Sequence, residues 1–498
     1  MQDELSQLKT RLTEIHDLQC AAAVLDWDQA TYMPSGGAEA RGRQLSTLAR
    51  IAHERSIDDT LGKLLQKLSS QTSAMIESDA NLVKMAARDF DRATKIPPTF
   101  TARLSDHMSK SYNAWTEARP ANDFARVRPL LEKTLDLSRE LASFFKPSGH
   151  IADPLIDNAD PGMTAASVRA LFDDLRKELV PLVEAIAARP AIDDACLKGE
   201  FPELKQLAFG EKVVRTLGYD FERGRQDKTH HPFMTRFAHG DVRITTRVNE
   251  RDLGDALFGT IHEAGHAMYE QGTARALDGL PTGQGASAGV HESQSRLWEN
   301  LVGRSLPFWK FFYPSLQEAF PAFRTVPLQT FYAAINKVER SLIRVDADEV
   351  TYNLHVMIRF ALELEMLEGK LAVRDLPEAW RARYQADLGV SSSDDKNGCM
   401  QDVHWYSAPI GGTFQGYTLG NVFAAQAFET AVASVPSIPS DIEHGNFAPL
   451  RTWLTEHLYV YGRSYLPDDV MKRATGKPLS IAPYMTYLRQ KYGALYGV

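Results

Sequence analysis

The chain has 498 residues, of which 44% are hydrophobic and 24% are charged, a composition typical of a soluble globular protein. Its formal net charge of −8 at pH 7 argues against a nucleic-acid partner, because phosphate backbones bind to basic surfaces. No stretch approaches the roughly 20 consecutive apolar residues of a membrane-spanning helix, so we expect no membrane association. The three cysteines are far apart and odd in number, which argues against a disulfide framework and favours the cytoplasm.

The first predicted element is an amphipathic helix at the N-terminus, with Leu5, Leu8, Leu12 and Ile15 on one stripe. This segment lacks the basic start and apolar core of a signal peptide, so we expect no secretion signal there. Apolar residues at three- and four-residue spacing predict further helices over residues 129–146, 164–188, 327–369 and 420–433. No solenoid repeat and no flexible linker is evident, so we expect one mainly helical domain over residues 1–498.

Asp26 and Asp28, in the stretch LDWDQAT, could be taken for a pair of catalytic carboxylates. No nucleophile pattern surrounds them. We therefore interpret both as structural groups that anchor the N-terminal helices.

The region over residues 229–248 predicts strands. Its segment DVRITTRV alternates in β-branched residues, which is typical of a half-buried strand. The dipeptide His239-Gly240 before this segment predicts a turn. We therefore expect a small β element within an otherwise helical fold.

The next helical segment carries the pattern His262-Glu263-x-x-His266 and ends in a glycine, Gly272. Histidines four residues apart lie on one helix face, so both imidazoles can bind one metal ion, with Glu263 beside it as proton acceptor. Gly265 costs about 1 kcal/mol relative to alanine within a helix, which indicates close approach of another element. If only this pattern is considered, the alternative to a metal site is a chance match on a helix of the core.

A metal site with two histidines needs a third protein ligand, commonly a carboxylate from a neighbouring helix. Residues 290–303 show a short helical pattern in which Glu292 and Glu299 lie seven residues apart and near one face. Glu292 is the first choice because it follows the glycine-rich turn at 278–290. Glu299 is the second, and its alternative role is a solvated or salt-bridged surface glutamate. His291 is a further candidate.

Six ordered motifs along the chain are similar to signatures of one family. One of them is the combination of HEAGH and the following HESQSR, with thirty residues from His262 to Glu292. The other motifs are LDWDQATYMPSGGAEARGRQ at 25–44, GYDFERGRQDKTHHPF at 218–233, DVRITT at 241–246, IRVDAD at 343–348 and GCMQDVHW at 398–405. Together they resemble the thermostable-carboxypeptidase family of metallocarboxypeptidases, the carboxypeptidase Taq type.

This resemblance implies a large, mainly helical metallopeptidase fold in which two helical lobes flank a long central cleft, with a small β element near the active site. It also implies a homodimer that releases single amino acids from the free C-terminus of peptides. The implied metal ligands are His262, His266 and Glu292, which would hold one divalent ion per chain, zinc or else cobalt or manganese. Glu263 is the implied general base for a water activated at the metal.

The oxyanion formed during peptide hydrolysis needs hydrogen-bond donors beyond the metal, and His404 and Tyr417 are the candidates. Both side chains can donate, and the glycines between them predict a loop over residues 409–420 that can close over substrate. The alternative for Tyr417 is a structural aromatic at a loop edge. His404 lies inside a matched motif, with Asp402 two residues before it.

A planar guanidinium is the best partner for the free carboxylate of a substrate, because it can donate two parallel hydrogen bonds. Arg344 of IRVDAD is the first choice and Arg243 of DVRITT the second. For each, the alternative is a buried structural pair with an aspartate of its own motif. His231 of the sequence HPF is expected to shape the cleft rather than to perform chemistry.

Two other functions fit part of this pattern. A zinc endopeptidase or oligopeptidase of the same architecture would use the same metal machinery and would lack only the carboxylate-binding arginine. A non-catalytic protein with a dead site is disfavoured, because the base, the ligands and the donors are all intact.

Overall fold

The computed structural model describes residues 1–146 and 149–498, which form a mainly helical fold with one small sheet, as predicted. Before the sheet the helices are α1 (Gln2–Thr31), α2 (Ala38–Ser56), α3 (Asp59–Ser69), α4 (Glu77–Lys95), α5 (Pro98–Ala121), α6 (Phe124–Ser143), α7 (Asp153–Ala159), α8 (Ala165–Ala187) and α9 (Glu203–Leu217). After it they are α10 (Leu253–Gly272), α11 (Ala288–Arg296), α12 (Leu306–Ala319), α13 (Leu328–Ile335), α14 (Tyr352–Leu367), α15 (Leu376–Leu388), α16 (His404–Ser407), α17 (Gln415–Ser434), α18 (Ile438–Glu443), α19 (Ala448–His457), α20 (Pro467–Thr475) and α21 (Ala482–Tyr496). Within the described ranges, no helix combines the length and apolar character needed to cross a membrane.

The sheet lies between α9 and α10 and contains β1 (Gln226–Lys228), β2 (Met234–Ala238) and β3 (Asp241–Thr246). β3 is the central strand, antiparallel to β2 and parallel to β1. The turn predicted at His239 and Gly240 joins β2 to β3 and is confirmed. The sequence does not predict β1, because its three residues show no apolar alternation and depend on pairing with β3.

Among the residues that the structure describes, the buried apolar side chains form two clusters. The larger extends from Ala118 to Tyr496, and α10, α14 and α17 pass through it with most of their residues buried. The smaller joins α1, α3 and α4 and contains Leu8, Leu12 and Ile15 of the predicted N-terminal stripe. The candidate functional helices are therefore held by the larger core.

The predicted continuous helix over residues 327–369 is wrong. Residues 336–351 form a loop with one 3₁₀ turn between α13 and α14. Asp348 stabilises the turn just before α14 by accepting the N–H groups of Val350 and Thr351 (2.9 and 3.0 Å). Apolar residues inside the loop keep a helix-like spacing, which hides the break in the sequence.

The predicted loop over residues 409–420 is shorter than expected, because α17 includes its second half. A Cβ at Gly420 would lie 2.6 Å from Cγ of Glu292, so close packing against α11, rather than backbone freedom, requires glycine here. Tyr417 accordingly lies in the first turn of a helix and not at a loop edge. The proline- and serine-bearing segment over residues 434–449 also contains a short helix, α18.

Candidate active site

α10 carries both histidines of the metal motif on one side. It begins after Asp252, whose side chain accepts the N–H of Gly254, and it ends at Gly272 as predicted. The ring centroids of His262 and His266 are 5.0 Å apart. The predicted helix and the convergence of its two imidazoles are both confirmed.

Two glycines allow α11 to lie directly against α10 and α17. A Cβ at Gly265 of α10 would lie 2.6 Å from the carbonyl oxygen of Gln294 and 2.7 Å from Cα of Ser295, both backbone atoms of α11. On the other side, Gly420 of α17 faces Glu292 at a similarly short range. The close approach indicated by Gly265 is therefore confirmed, and it places Glu292 between the two helices.

Glu292 completes the candidate metal centre with His262 and His266. Its Oε2 lies 3.7 Å from Nε2 of His262 and 3.4 Å from Nε2 of His266. The three ligand atoms all lie within 4.8 Å of one another. Two imidazole nitrogens and one carboxylate oxygen are the donor set of catalytic zinc sites that keep a position open. The residues present therefore fit the metal that the motif predicts.

Burial and neighbouring charges shift the pKa values of these groups in different directions; for His262, burial lowers the pKa, but Glu292 and Glu299 outweigh it and raise the pKa. Burial would raise the pKa of Glu292, but Arg296 and the two histidines outweigh it and hold the pKa well below its usual range. Burial lowers the pKa of His266 to about 4, so its imidazole is neutral. Burial also raises the pKa of Glu263 to about 7, partly offset by the charge of His262. A carboxyl group poised near neutrality can both accept and return a proton.

The alternative ligands Glu299 and His291 lie behind the two histidines rather than among the ligand atoms. Oε2 of Glu299 lies 2.9 Å from Nδ1 of His262, the ring nitrogen opposite Nε2. Nδ1 of His291 lies 2.6 Å from Nδ1 of His266. Glu299 also pairs with Arg296, and because its side chain is 12% exposed, this is an interior rather than a surface ion pair.

A second polar cluster is centred on Asp402 and holds Arg344. Nε and Nη2 of Arg344 donate to the two carboxylate oxygens of Asp402 (2.9 and 2.8 Å), and Nη1 donates to the hydroxyl of Tyr352 (3.0 Å). Nε of Arg359 donates to the same carboxylate (2.6 Å). The partner of Arg344 is therefore Asp402, not an aspartate of its own motif. These bonds use three of the five guanidinium N–H groups, which leaves one on each terminal nitrogen.

Tyr352 connects the Asp402 cluster to the candidate metal centre. Its hydroxyl accepts the hydrogen bond from Arg344, and its ring centroid lies 4.5 Å from the guanidinium carbon of Arg296. Arg296 in turn donates to Oε1 of Glu292 (2.7 Å). The two clusters are thus neighbours.

The two predicted oxyanion donors contact each other. Nδ1 of His404 lies 3.0 Å from Oδ1 of Asp402, and Nε2 of His404 lies 3.2 Å from the hydroxyl of Tyr417. Because the ionised carboxylate can only accept, Nδ1 of His404 carries a proton, while Nε2 lies within hydrogen-bond distance of the Tyr417 hydroxyl. The ring of Tyr417 lies 5.2 Å from the guanidinium carbon of Arg344, so both candidate donors lie beside this arginine.

Arg243 lies in a different environment from Arg344. It donates through Nε and Nη2 to Asp241 (2.8 Å each), and its guanidinium carbon lies 4.3 Å from the ring of Trp27. This is the ion pair with the aspartate of its own motif that the alternative interpretation predicts, although the pair is partly exposed rather than buried. Nearby in the N-terminal region, Asp28 pairs with Nη2 of Arg41 (2.7 Å) and joins α1 to α2, as the structural interpretation of this residue predicts.

His231 is exposed on the loop between β1 and β2. Partial burial lowers its pKa, and the positive charges of Arg247, His404 and Arg344 lower it further. These charges act on His231 through space, and its own hydrogen bonds are to Thr229.

Sequence reasoning does not identify Tyr352 and Arg359. A signal for them exists in α14, where Tyr352, His355 and Arg359 recur on one face of an otherwise apolar helix. Polar side chains at helical spacing within a buried helix indicate buried partners, because unpaired polar groups are costly in a core.

Proteins similar to this chain along its whole length are carboxypeptidases. The family model described as Carboxypeptidase Taq (M32) metallopeptidase matches residues 7–492. Thermostable carboxypeptidase 1 of Thermus thermophilus is 41% identical over 496 residues, which cover 96% of each chain. Carboxypeptidase 1 of Bacillus subtilis is 36% identical over 480 residues, covering 96% of this chain and 95% of its own. The crystal structure of an M32 carboxypeptidase from Deinococcus radiodurans R1 has a TM-score of 0.97 at 52% identity and covers 100% of both chains.

Proposed function

The chain belongs to the M32, or carboxypeptidase Taq, family of metallopeptidases, and from this premise we propose that it releases single amino acids from the free C-terminus of peptides with Glu263 as general base. Family membership makes it a metallocarboxypeptidase, a peptide hydrolase that depends on a divalent metal. The observation that supports the assignment of residues is the convergence of His262, His266 and Glu292 next to Glu263.

His262, His266 and Glu292 would hold one divalent ion per chain, with zinc as the first choice. Two imidazoles and a carboxylate are a common ligand set of zinc peptidases, and cobalt or manganese can bind the same donors. When bound, such an ion supplies a Lewis acid that polarises water and the scissile carbonyl.

Glu263 would move the proton during hydrolysis. It accepts a proton from the water as the water oxygen bonds to the carbonyl carbon. It then donates that proton to the amine as the C–N bond breaks. A pKa of about 7 suits both steps, because one carboxyl group acts first as base and then as acid.

Tyr417 and His404 would stabilise the negative charge on the carbonyl oxygen. Burial raises the pKa of Tyr417 above its usual value, which keeps the hydroxyl protonated and able to donate. That hydroxyl can turn from Nε2 of His404 toward the substrate oxygen, since a hydroxyl hydrogen rotates freely. Asp402 would fix the orientation of the His404 ring.

Arg344 would bind the terminal carboxylate of the substrate. The two N–H groups left free by Asp402 and Tyr352, one on each terminal nitrogen, suit two parallel hydrogen bonds. Arg243 is the second choice, because its Nε and Nη2 already donate to the carboxylate of Asp241 and the ring of Trp27 lies against its guanidinium. His231, whose pKa is lowered in part by the charge of Arg344, would shape the cleft.

The test of this function compares peptides with free and amidated C-termini and identifies the products by mass spectrometry. We expect residues to be removed one at a time from free peptides, while amidated peptides stay nearly intact. A charge-assisted contact contributes roughly 1.5–3 kcal/mol, so the discrimination should be about ten- to two-hundredfold. Cleavage of amidated peptides at internal bonds, as fast as cleavage of free peptides, would instead establish an endopeptidase.

We also propose that the protein acts in the cytoplasm as a homodimer, each chain forming one domain of two helical lobes that flank the cleft. The family resemblance supports the dimer, and two-fold dimers are the commonest soluble assemblies. The free cysteines Cys20, Cys196 and Cys399 support a reducing compartment. We propose neither a nucleic acid nor a membrane as partner. Light scattering at micromolar concentration should return twice the chain mass, and a monomer mass would exclude the dimer.

A further inference from the structure

The ring nitrogen of His266 that faces away from the metal centre contacts another imidazole. Nδ1 of His291 lies 2.6 Å from Nδ1 of His266, and Nε2 of His291 lies 2.9 Å from Oε1 of Glu270. Glu270 is 4% exposed, and its Oε2 accepts a hydrogen bond from Arg236 of β2 (3.3 Å). The four side chains form a continuous hydrogen-bonded series from α10 to the sheet.

The proton positions follow from the two ends of this series. If Nε2 of His266 binds the metal, its Nδ1 carries the proton and needs an acceptor. Nδ1 of His291 is that acceptor when the proton of His291 sits on Nε2, and Glu270 then accepts the Nε2 proton. Every donor meets an acceptor, so the tautomer of His291 with its proton on Nε2 matches the metal-binding tautomer of His266.

The surroundings of His291 leave its ring little room to turn. A Cβ at Gly285 would lie 2.4 Å from Cδ2 of His291, so the loop before α11 can close over the ring only with glycine at this position. The N–H of Gly285 also donates to Oε1 of Glu270 (3.0 Å). On another side, the ring centroid of Tyr269 lies 5.3 Å from that of His291.

We propose that His291 is a positioning residue that fixes the tautomer and ring orientation of His266 for metal binding, with Glu270 as its anchor. This inference rests on the proposed function, because it takes His266 as a metal ligand. His262 has a shorter arrangement, in which the Glu299 carboxylate accepts from its Nδ1 directly. Groups that orient a metal-bound histidine in this way typically contribute about ten- to hundredfold to metal affinity.

Zinc affinity, measured by competition with a chromophoric chelator, tests the proposal. His291→Phe removes both ring nitrogens and should weaken zinc binding by about ten- to hundredfold. His291→Asn keeps an oxygen acceptor near the position of Nδ1 and should recover part of the affinity. The matched control is His107→Phe: His107 is also largely buried but lies on α5, where Nε2 contacts the hydroxyl of Thr134 (2.9 Å), so its loss should leave zinc affinity unchanged.

Two further measurements separate positioning from general stability. In the cobalt-substituted protein, His291→Phe should shift the visible absorption bands, which report ligand geometry, while His107→Phe should not. If His291→Phe does not fold, Glu270→Gln removes the charge of the anchor at constant volume and should still weaken zinc binding several-fold.

The proposal is overturned if His291→Phe, or Glu270→Gln in its place, binds zinc as tightly as the unaltered protein. It is also overturned if His107→Phe weakens binding to the same degree. Retention of zinc by His266→Ala would be a separate result, because it would refute the proposed metal centre itself.

Discussion

The metal half of the candidate active site lies on α10 and α11, whose backbones are in direct contact, whereas the substrate half is assembled from segments that meet at Asp402. In the metal half, close packing at Gly265 sets the position of Glu292. In the substrate half, one carboxylate is bonded to Arg344, Arg359 and His404. Steric changes should therefore disturb the first half, and changes of charge should disturb the second.

Glu263→Gln should give the largest loss of activity, because it removes the proton acceptor without changing the shape of the metal half. We expect kcat to fall by about 10²–10⁴-fold while the metal content stays the same. Steady-state kinetics and elemental analysis measure the two quantities. Unchanged turnover would show that Glu263 is not the base, and loss of metal along with turnover would assign it a structural role.

Arg344→Ala should have the next largest effect, since it removes the charge that the substrate half offers to the peptide. On free peptides kcat/KM should fall by about ten- to two-hundredfold, and the preference over amidated peptides should shrink. Arg344→Lys should restore only part of the loss, because an ammonium cannot form the two-pronged pair. If Arg243→Ala gives this pattern and Arg344→Ala does not, Arg243 binds the carboxylate.

Gly265→Ala tests the steric half directly. Its new methyl group would meet the backbone of α11, and we expect the free energy of unfolding to fall by about 1–3 kcal/mol and metal binding to weaken. Gly259→Ala is the matched control on the same helix, since a Cβ there meets no atom within 4 Å. It should be neutral or stabilise by up to about 1 kcal/mol. Equal effects of the two variants in denaturant unfolding would refute the packing argument.

Glu368 lies at the C-terminal end of α14, outside both halves of the site and about 24 Å along the helix from Tyr352. A substitution of this residue should have the smallest effect and therefore serves as a reference. Burial would raise its pKa, but hydrogen bonds from Lys370, Arg169 and His150 outweigh it and lower the pKa to about 2. Because the folded pKa lies below the unfolded value near 4.5, its stabilisation is complete above about pH 4.5 and is lost as the pH falls toward 2.

The matched variant is Glu368→Gln. Over that acid range, the change in folding stability with pH should be smaller in this variant by about 1 kcal/mol. The difference is modest because the basic partners of Glu368 are partly exposed and screened. The substitution should leave kcat/KM unchanged. An unchanged pH dependence would show that these contacts do not stabilise the folded protein.

The metal half could be predicted from the sequence because its information is local. His262 and His266 are one helical turn apart, and Gly265 between them reports the contact with α11. The one local feature that the pattern does not predict is the π-helical segment Leu297–Val302, which follows α11 and carries Glu299. Even there, Glu292 and Glu299 both reach His262, although they contact different ring nitrogens.

The substrate half could not be predicted in the same way. Arg344 and Asp402 are 58 residues apart, and each motif already contains residues that could serve as a local partner. The loop that carries Arg344 has the apolar spacing of a helix, and the helix that carries Tyr417 has the glycines of a loop. In both segments the tertiary contacts, and not the local propensities, decide the structure.

Metal content of two glutamate variants tests the central claim most directly, because Glu292 and Glu299 both lie within reach of the histidines of α10. The unaltered protein should hold about one divalent ion per chain after dialysis, as three protein ligands imply. Glu292→Ala should lose the ion, while Glu299→Ala should keep it, since Glu299 contacts only the outer nitrogen of His262. Retention by Glu292→Ala together with loss by Glu299→Ala would contradict the proposed ligand set.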